Sequence, residues 1–274
     1  MVEQLGLARA PGAVRSGLSR TLSWASKRLG QALARFDGRI GALGIAQAAA
    51  ATLDDLGATW QAVGPNPPRD GPLLVVSNHP GAYDALVLLA ALGRRDVGIL
   101  AANRPFLRAL PELRQHLLLL ADDGRAGGRV SPVRRAFAHL ARGHVLVHFP
   151  AGRIEPDPAF VESGSPLLAK WSRGTGAIVR ATARANGRVA GALVSAVHST
   201  RAKRHWAVRW AERRGVTTVA PLLQIVAPRF RDVRAVVRFT EASAAARLLD
   251  AGDNDAAVTE RLRTEVEALA HCGS

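Results

Sequence analysis

The stretch GPLLVVSNHPGAYDALVLLAAL, residues 71–92, decides the fold of this chain. Its apolar run Leu73–Ser77 is short and uninterrupted, which predicts a buried strand. Pro80 and Gly81 then break the strand, and an apolar helical pattern covers residues 82–92. A buried strand that leads through a sharp turn into a helix indicates the first unit of an α/β fold.

The same alternation of short apolar runs and longer helical patterns continues along the chain. Further strands are predicted at Val97–Ala101, Leu117–Ala121, Val145–Phe149, Val189–Ala196 and Val233–Thr240, and helices at Pro105–Arg114, Pro132–Arg142, Pro166–Asn186 and Asp255–Ala270. This order predicts an α/β fold in which helices flank a largely parallel sheet. Within residues 233–239, apolar residues alternate with arginines, which favours an edge or half-exposed strand.

The residues before this pattern are predicted to be helical. Val14–Phe36 has apolar residues at steps of three and four with basic residues on its flanks, which is typical of an amphipathic helix. Such a helix fits either a membrane interface or packing on its own domain. A second helix is expected at Ile40–Val63. We therefore divide the chain into a helical, membrane-docking segment, residues 1–62, and an α/β domain, residues 63–274.

The charge of the chain indicates a polyanionic partner. The net charge is +15 and the pI is about 11.6, which fits nucleic acid or an anionic bilayer. In Arg201–Arg214, Trp206 and Trp210 lie one helical turn apart among basic residues. That arrangement suits lipid head groups, a nucleic-acid surface or a solvated basic helix. The longest uncharged runs have 14 residues, so we expect contact with a membrane surface rather than a spanning helix.

The candidate catalytic residues are His79 and Asp84. In open α/β sheets, ligands bind beyond the carboxyl ends of the strands, and His79 follows such an end. Across the Pro-Gly turn, Asp84 can fold back onto the imidazole, which fixes the tautomer and leaves the other nitrogen free to accept a proton. The alternative is that Asp84 only caps the helix. The sequence therefore fits two interpretations: His79 is a general base oriented by Asp84, or both residues belong to an ordinary turn.

A second candidate lies in HVLVHFPAGRIEPDP, residues 144–158. The predicted strand ends at Phe149, and residues 150–153 form a basic turn that contains Gly152 and Arg153. Backbone amides and a guanidinium in such a turn can bind a phosphate or stabilise an oxyanion.

Together, these two stretches resemble the glycerolipid acyltransferase superfamily, which includes glycerol-3-phosphate and lysophosphatidic acid acyltransferases. That family has a strand leading into N-H-x4-D, matched here by Asn78, His79 and Asp84. About 70 residues later it has F-P-E-G-[TS]-R, matched in part by residues 149–153. Between them, residues 102–111 loosely match a block that contains Arg104. The resemblance covers residues 63–199.

The resemblance implies an activity and a set of roles. His79, oriented by Asp84, would deprotonate an acceptor hydroxyl that attacks an acyl-CoA or acyl carrier protein thioester, with no metal and no cofactor. Asn78, Arg104, Gly152 and Arg153 would bind substrate. The acceptor would be a lysophospholipid or related lipid, and the protein would lie peripherally on the cytoplasmic face of the cell membrane, with no nucleic-acid partner.

The sequence also departs from the family pattern. Ala151 stands where the family has glutamate, and Arg153 follows Gly152 directly, so the identity of the acceptor is open; Glu155 is a candidate replacement for the missing carboxylate. Three alternatives remain: an inactive lipid-binding relative, a nucleic-acid-binding protein, and a thioester hydrolase. Ser165 and Ser195 are not in a G-x-S-x-G elbow, which argues against an α/β-hydrolase.

Overall fold

The computed structural model describes residues 12–81, 83–120, 134–162, 164–215 and 219–271, and for residues 12–26 the backbone alone. The helices are α1 Gly12–Leu43, α2 Ile45–Asp55, α3 Asp84–Leu92, α4 Pro105–Arg108, α5 Pro111–Gln115, α6 134–140, α7 Gly174–Arg184, α8 Thr200–Arg204, α9 Trp206–Glu212, α10 Val219–Val226 and α11 Asp255–Ala268. The strands are β1 Thr59–Val63, β2 Leu73–Ser77, β3 Val97–Ala102, β4 Leu117–Leu120, β5 Val145–His148, β6 Arg188–Ser195, β7 Arg234–Phe239 and β8 Ser243–Ala244.

The strands form one mixed, mainly parallel sheet. Its order is β1-β7-β6-β2-β5-β3-β4, and β8 pairs with the first residues of β6. The strands from β6 to β4 in this order are parallel to one another, whereas β7 runs antiparallel to β6 and parallel to β1. The carboxyl ends of β2 to β6 and the starts of β1 and β7 therefore meet at one edge of the sheet, which we call the carboxyl edge.

Both faces of the sheet are covered by helices, which confirms the predicted α/β class. On β2, Leu73 and Val75 face a core shared with α1, α2 and α3, while Leu74 and Val76 face a second core shared with α7 and α11. All five residues of β2 are buried, as expected for a central parallel strand. This double cover fixes the position of the segment that follows β2.

The prediction of a helix over Ile40–Val63 is wrong at its end. Helix α2 stops at Asp55, and Gly57, with φ of 65°, turns the chain into β1, which pairs in parallel with β7. Several residues of α2 are fully buried against α3 and the sheet, among them Ala48 and Leu53. The boundary drawn between residues 62 and 63 thus falls inside a strand.

Other predicted bounds are corrected by the structure. Pro111 divides the helix expected at Pro105–Arg114 into α4 and α5, and residues 166–173 are not helical. The strand at residues 234–239 is not at an edge, because β1 covers it, although its exposure alternates as predicted. The expected ends at Ala82, Ala121 and Pro132 lie outside the described residues, as do the predicted apolar side chains before residue 27.

Within the described ranges, no helix has both the length and the apolar character needed to cross a membrane.

Candidate active site

The site is built on the turn that joins β2 to α3. Gly81 adopts a φ of 86°, a conformation that favours glycine, and the turn returns the chain so that Asp84 begins α3 next to His79. Ile154 lies against Gly81, since a Cβ there would be 3.1 Å from its Cδ1 atom. A side chain at position 81 would therefore both strain the turn and push Ile154 away.

The structure brings the two predicted catalytic side chains together. Nδ1 of His79 lies 2.7 Å from Oδ2 of Asp84, and the same oxygen accepts a 2.8 Å hydrogen bond from the Gly81 amide. Asp84 is 2% exposed, while the side chain of His79 is 30% exposed. The buried carboxylate thus holds one ring nitrogen, and the imidazole remains reachable from solvent.

The surroundings of His79 adjust its basicity. Burial by itself lowers the pKa of His79, but the hydrogen bond to Asp84 and the charges of Asp84 and Glu155 outweigh burial and raise the pKa above its ordinary value of 6.5. The ring of Phe149 lies against the imidazole, with centroids 4.6 Å apart. These contacts hold the imidazole in place and increase its proton affinity.

Glu155 forms hydrogen bonds with the backbone of His79. Its carboxylate accepts hydrogen bonds from the amides of His79, at 2.9 Å, and Ala169, at 2.8 Å, while its own amide donates to the carbonyl of His79. Burial raises the pKa of Glu155, and the two backbone donors and the charge of His79 oppose that rise. A buried carboxylate therefore lies four residues after Ala151, in contact with the backbone of His79.

Asn78, predicted to bind substrate, is fully buried and engaged with the backbone of β6. Its amide nitrogen donates to the carbonyl of Val194 at 2.8 Å, and its amide oxygen accepts from the nitrogen of Val194 at 2.7 Å. Both hydrogen-bonding atoms are thus used to join the ends of β2 and β6. The predicted contact of Asn78 with substrate stays a prediction, and in this structure both atoms bind Val194.

The remaining predicted residues lie at the carboxyl edge. Gly152 and Arg153 follow β5, and Arg104 follows β3; these strands flank each other next to β2. The guanidinium groups of Arg104 and Arg153 are exposed and have no partner within the described ranges. The Gly152 amide donates to the carbonyl of Phe149 at 3.2 Å, so this amide is already used inside the turn. The structure therefore places Arg104 and Arg153 on loops at the same edge of the sheet as the end of β2.

A second His–Asp pair was missed from the sequence. Asp157 is buried and accepts from the amides of Ala196 and His198 and from Nδ1 of His198, the last at 3.1 Å. The hydrogen bond and the charge of His198 help to lower the pKa of Asp157 against the effect of burial. The P-D-P triplet around Asp157 is the sequence signal that could have indicated a side chain that orders a turn.

Glu155 and Asp157 thus act from one loop on two neighbouring strand ends. Glu155 binds the backbone of His79 after β2, and Asp157 binds the backbone after β6, where Ala196 adopts a positive φ of 55°.

In the part of the chain that the structure describes, no three His, Cys, Asp or Glu side chains are grouped as metal ligands.

Large exposed apolar side chains concentrate at the carboxyl edge. Phe106, Leu120 and Ile154 lie in or after the ends of β3, β4 and β5, and Trp206 and Trp210 lie in α9, which follows β6. Trp206 is 75% exposed, and the guanidinium carbon of Arg214 lies 4.0 Å from the centre of the Trp210 ring. The edge that contains His79 is therefore both apolar and basic.

Comparison with known proteins shows a structural likeness. No family model and no curated protein matches the sequence. The crystal structure of PlsC, a 1-acyl-sn-glycerophosphate (LPA) acyltransferase from Thermotoga maritima, is similar with a TM-score of 0.47 and 14% identity over 83% of each chain. At that identity and TM-score, the chemistry of this protein has to be argued from its own side chains.

Proposed function

We propose that this protein is an acyltransferase that moves a fatty acyl group from a thioester to the hydroxyl of a lipid acceptor. The observation that supports the proposal is the contact between His79 and the buried Asp84 at the carboxyl end of β2. The carboxylate accepts from Nδ1, which leaves Nε2 unprotonated and able to take a proton. General bases of this kind contribute about two to four powers of ten in rate.

The proposed reaction proceeds without a covalent enzyme intermediate. Nε2 of His79 takes the proton of the acceptor hydroxyl as its oxygen attacks the thioester carbonyl carbon. The tetrahedral intermediate then collapses, the carbon–sulfur bond breaks, and the leaving thiolate takes the proton from the imidazolium. While the tetrahedral intermediate exists, His79 is an imidazolium, and the buried carboxylate of Asp84 next to the ring stabilises this positive charge. The products are an ester and a free thiol.

The donors at the carboxyl edge suit the substrates that this reaction needs. We assign Arg153 and Arg104 to an anionic group of the acceptor, since guanidinium groups bind phosphate oxygens in pairs. The amides of Arg153 and Ile154 have no acceptor among the described residues, and they stand in the same loop as Glu155. These amides are candidates for the oxyanion of the tetrahedral intermediate. The donor is an acyl-CoA or acyl carrier protein thioester, used as a substrate.

We further propose that the carboxyl edge binds the anionic cytoplasmic face of the cell membrane. The support is the exposure of Trp206 and Trp210 beside Arg209 and Arg213, all in or next to α9. Tryptophan is enriched at the membrane–water interface, and arginine is attracted to anionic lipids. A lipid acceptor could then reach His79 from the bilayer. Docking by residues 1–62 remains a part of this proposal.

The decisive experiment is an acyl-transfer screen of the purified protein. Radiolabelled acyl-CoA or acyl carrier protein is mixed with a panel of lysolipids, and the products are separated by thin-layer chromatography. We expect one class of acceptor to be labelled by the native protein and none by His79→Ala, with the circular dichroism spectrum unchanged. Full activity of His79→Ala would refute the proposal.

The same screen separates the rival functions. Release of labelled free fatty acid without labelled acceptor identifies a thioester hydrolase, because water then replaces the alcohol. Lipid binding with no turnover by any donor identifies an inactive relative. Binding to RNA that falls steeply with salt and does not depend on His79 identifies a nucleic-acid-binding protein.

A further inference from the structure

A basic pocket lies apart from the His79 site, where α1 crosses the end of α2. It encloses about 350 Å³. Arg28, Arg35 and Arg39 line it from one face of α1, since their spacings of seven and four return to the same side of a helix. Arg231, which precedes β7, lines the opposite wall. The start of β7 places this wall at the carboxyl edge.

The charges around this pocket are unbalanced. Four arginines line it, and Asp55 is the one carboxylate among its described lining residues. Asp55 Oδ2 lies 2.8 Å from Nη2 of Arg39, and this pair leaves Arg35 and Arg231 without a carboxylate partner among the described lining residues. Like charges that line one pocket repel one another, so an anion bound between them would be favoured.

Two of the guanidinium groups are held in fixed orientations. Arg39 donates to the carbonyl of Ala51 at 3.2 Å, and Arg231 donates to the carbonyls of Asp55 and Ile225 at 3.3 and 3.2 Å. Nε of Arg231 is buried and has no acceptor within the described ranges, and the exposed Arg35 has no partner there either. The pocket therefore offers oriented donors in excess of its own acceptors.

The chemistry of these donors favours a phosphate group. A guanidinium presents a planar fork of N–H groups that matches phosphate oxygens, and several arginines suit a doubly charged ligand better than a singly charged carboxylate.

We propose that this pocket binds the phosphate group of a phosphomonoester through Arg35, Arg39 and Arg231. The site needs no chemistry at His79, and its occupation is measured by binding alone. A lipid head group and free phosphate share this chemistry, so the experiment has one arm for each source.

The test measures thermal unfolding of the full-length protein at constant ionic strength. The ligands are inorganic phosphate and water-soluble dihexanoyl phosphatidic acid, each compared with chloride. We expect a rise in Tm of about 5 °C when the ligand reaches 100 times its Kd. The variants Arg35→Gln and Arg231→Gln should lose most of this rise, whereas Arg247→Gln, which removes an exposed arginine far along the chain, should keep it.

The outcomes decide the source of the ligand and separate this site from the proposed function. A larger rise with phosphatidic acid than with phosphate at equal concentration supports a lipid head group, and an equal rise supports a site for the free phosphate group. No rise with either ligand, or a rise that Arg35→Gln and Arg231→Gln both retain, overturns the proposal. His79→Ala should keep the full rise, so loss of acyl transfer does not affect this result.

Discussion

Two carboxylates contact His79 at different places, one at the side chain and one at the backbone. Asp84 contacts the ring and fixes its tautomer, whereas Glu155 contacts the backbone amide and fixes where the residue stands. Both carboxylates are buried, so each acts in a medium where its charge is weakly screened. The two contacts can be separated by mutation because one changes basicity and the other changes position.

The variant Asp84→Asn should lower activity and shift its pH dependence. The base works when it is neutral, so in the native protein kcat/KM should fall as the pH drops through a value above 6.5. Without Asp84, burial is left as the main influence and lowers the pKa of His79, so the acid limb should move to lower pH. We also expect kcat to fall by about two to four powers of ten.

A pH profile of kcat/KM checks this expectation. Asp255→Asn, which removes a surface partner of Arg180, is the matched control and should leave the profile unchanged. An acid limb that stays in place in Asp84→Asn would show that Asp84 does not set the basicity of His79.

The variant Glu155→Gln should lower kcat and leave KM nearly unchanged. A glutamine has one acceptor oxygen for the two amides of His79 and Ala169, so the turn loses one of its hydrogen bonds. Small displacements of a catalytic group cost up to about 100-fold in rate. Steady-state kinetics with Glu162→Gln, an exposed residue of the same loop, provides the comparison. Equal values of kcat in both variants would contradict the role given to Glu155.

The residue pair His79–Asp84 could be predicted from the sequence because both residues belong to one local turn. The hydrogen bonds of Asn78 to Val194 could not be predicted, since Val194 lies 116 residues away and no local pattern reveals it. The contact of Glu155 with His79 spans 76 residues for the same reason. Local chemistry is readable from the sequence, and the partners that hold it in place are not.

At the scale of elements, α7 and α11 approach each other closely at Gly176. A Cβ at this position would lie 2.4 Å from the backbone oxygen of Asp255, and the Gly176 amide donates to Oγ1 of Thr259 at 3.1 Å. The two helices cover the same face of the sheet. Glycine is required here by the approach of another backbone, and a larger residue must move a helix.

Gly176→Ala should therefore destabilise the protein by about 1–3 kcal/mol, the usual range for an overpacked site. The urea concentration at the midpoint of unfolding measures this loss of stability. Gly174→Ala lies in the same helix, where the nearest atom, Ser172 Oγ, is 3.5 Å from the added Cβ, so its midpoint should be close to that of the native protein. A midpoint for Gly176→Ala equal to that of Gly174→Ala would show that the helices separate without cost.

The main strands and most helices could be predicted from apolar runs and from proline and glycine. Strand β1 could not, because its TWQAV sequence has neither a clear alternation nor a run of β-branched residues, and its partner β7 is far along the chain. Gly57, which follows α2 and has a positive φ, is a typical residue at the end of a helix, and the predicted helix over Ile40–Val63 did not take it into account. Pro111 likewise marked the break between α4 and α5.

At the scale of the whole molecule, the distribution of exposed tryptophan predicts how the protein meets a membrane. The double variant Trp206→Ala and Trp210→Ala should bind vesicles that contain anionic phosphatidylglycerol several-fold more weakly than the native protein. Binding of the native protein should also weaken with salt, because arginines next to α9 contribute a screened attraction. Co-sedimentation at two salt concentrations measures both effects.

The control for this experiment is Phe137→Ala, which removes an exposed aromatic side chain from α6. Its binding to the same vesicles should match that of the native protein. If the double tryptophan variant also binds as the native protein does, α9 is not the surface that contacts the bilayer.

The pairing of β1 with β7 has a consequence for biosynthesis. Residue 59 pairs with residue 234, so β1, the first strand among the described residues, must wait for β7 before it gains this neighbour. Until then, one border of the nascent sheet is uncovered, which is the condition under which unfinished chains associate with one another. The sheet of this protein should thus be completed only after β7 has been synthesised, and a chaperone that shields this border until then should raise the yield in the cell.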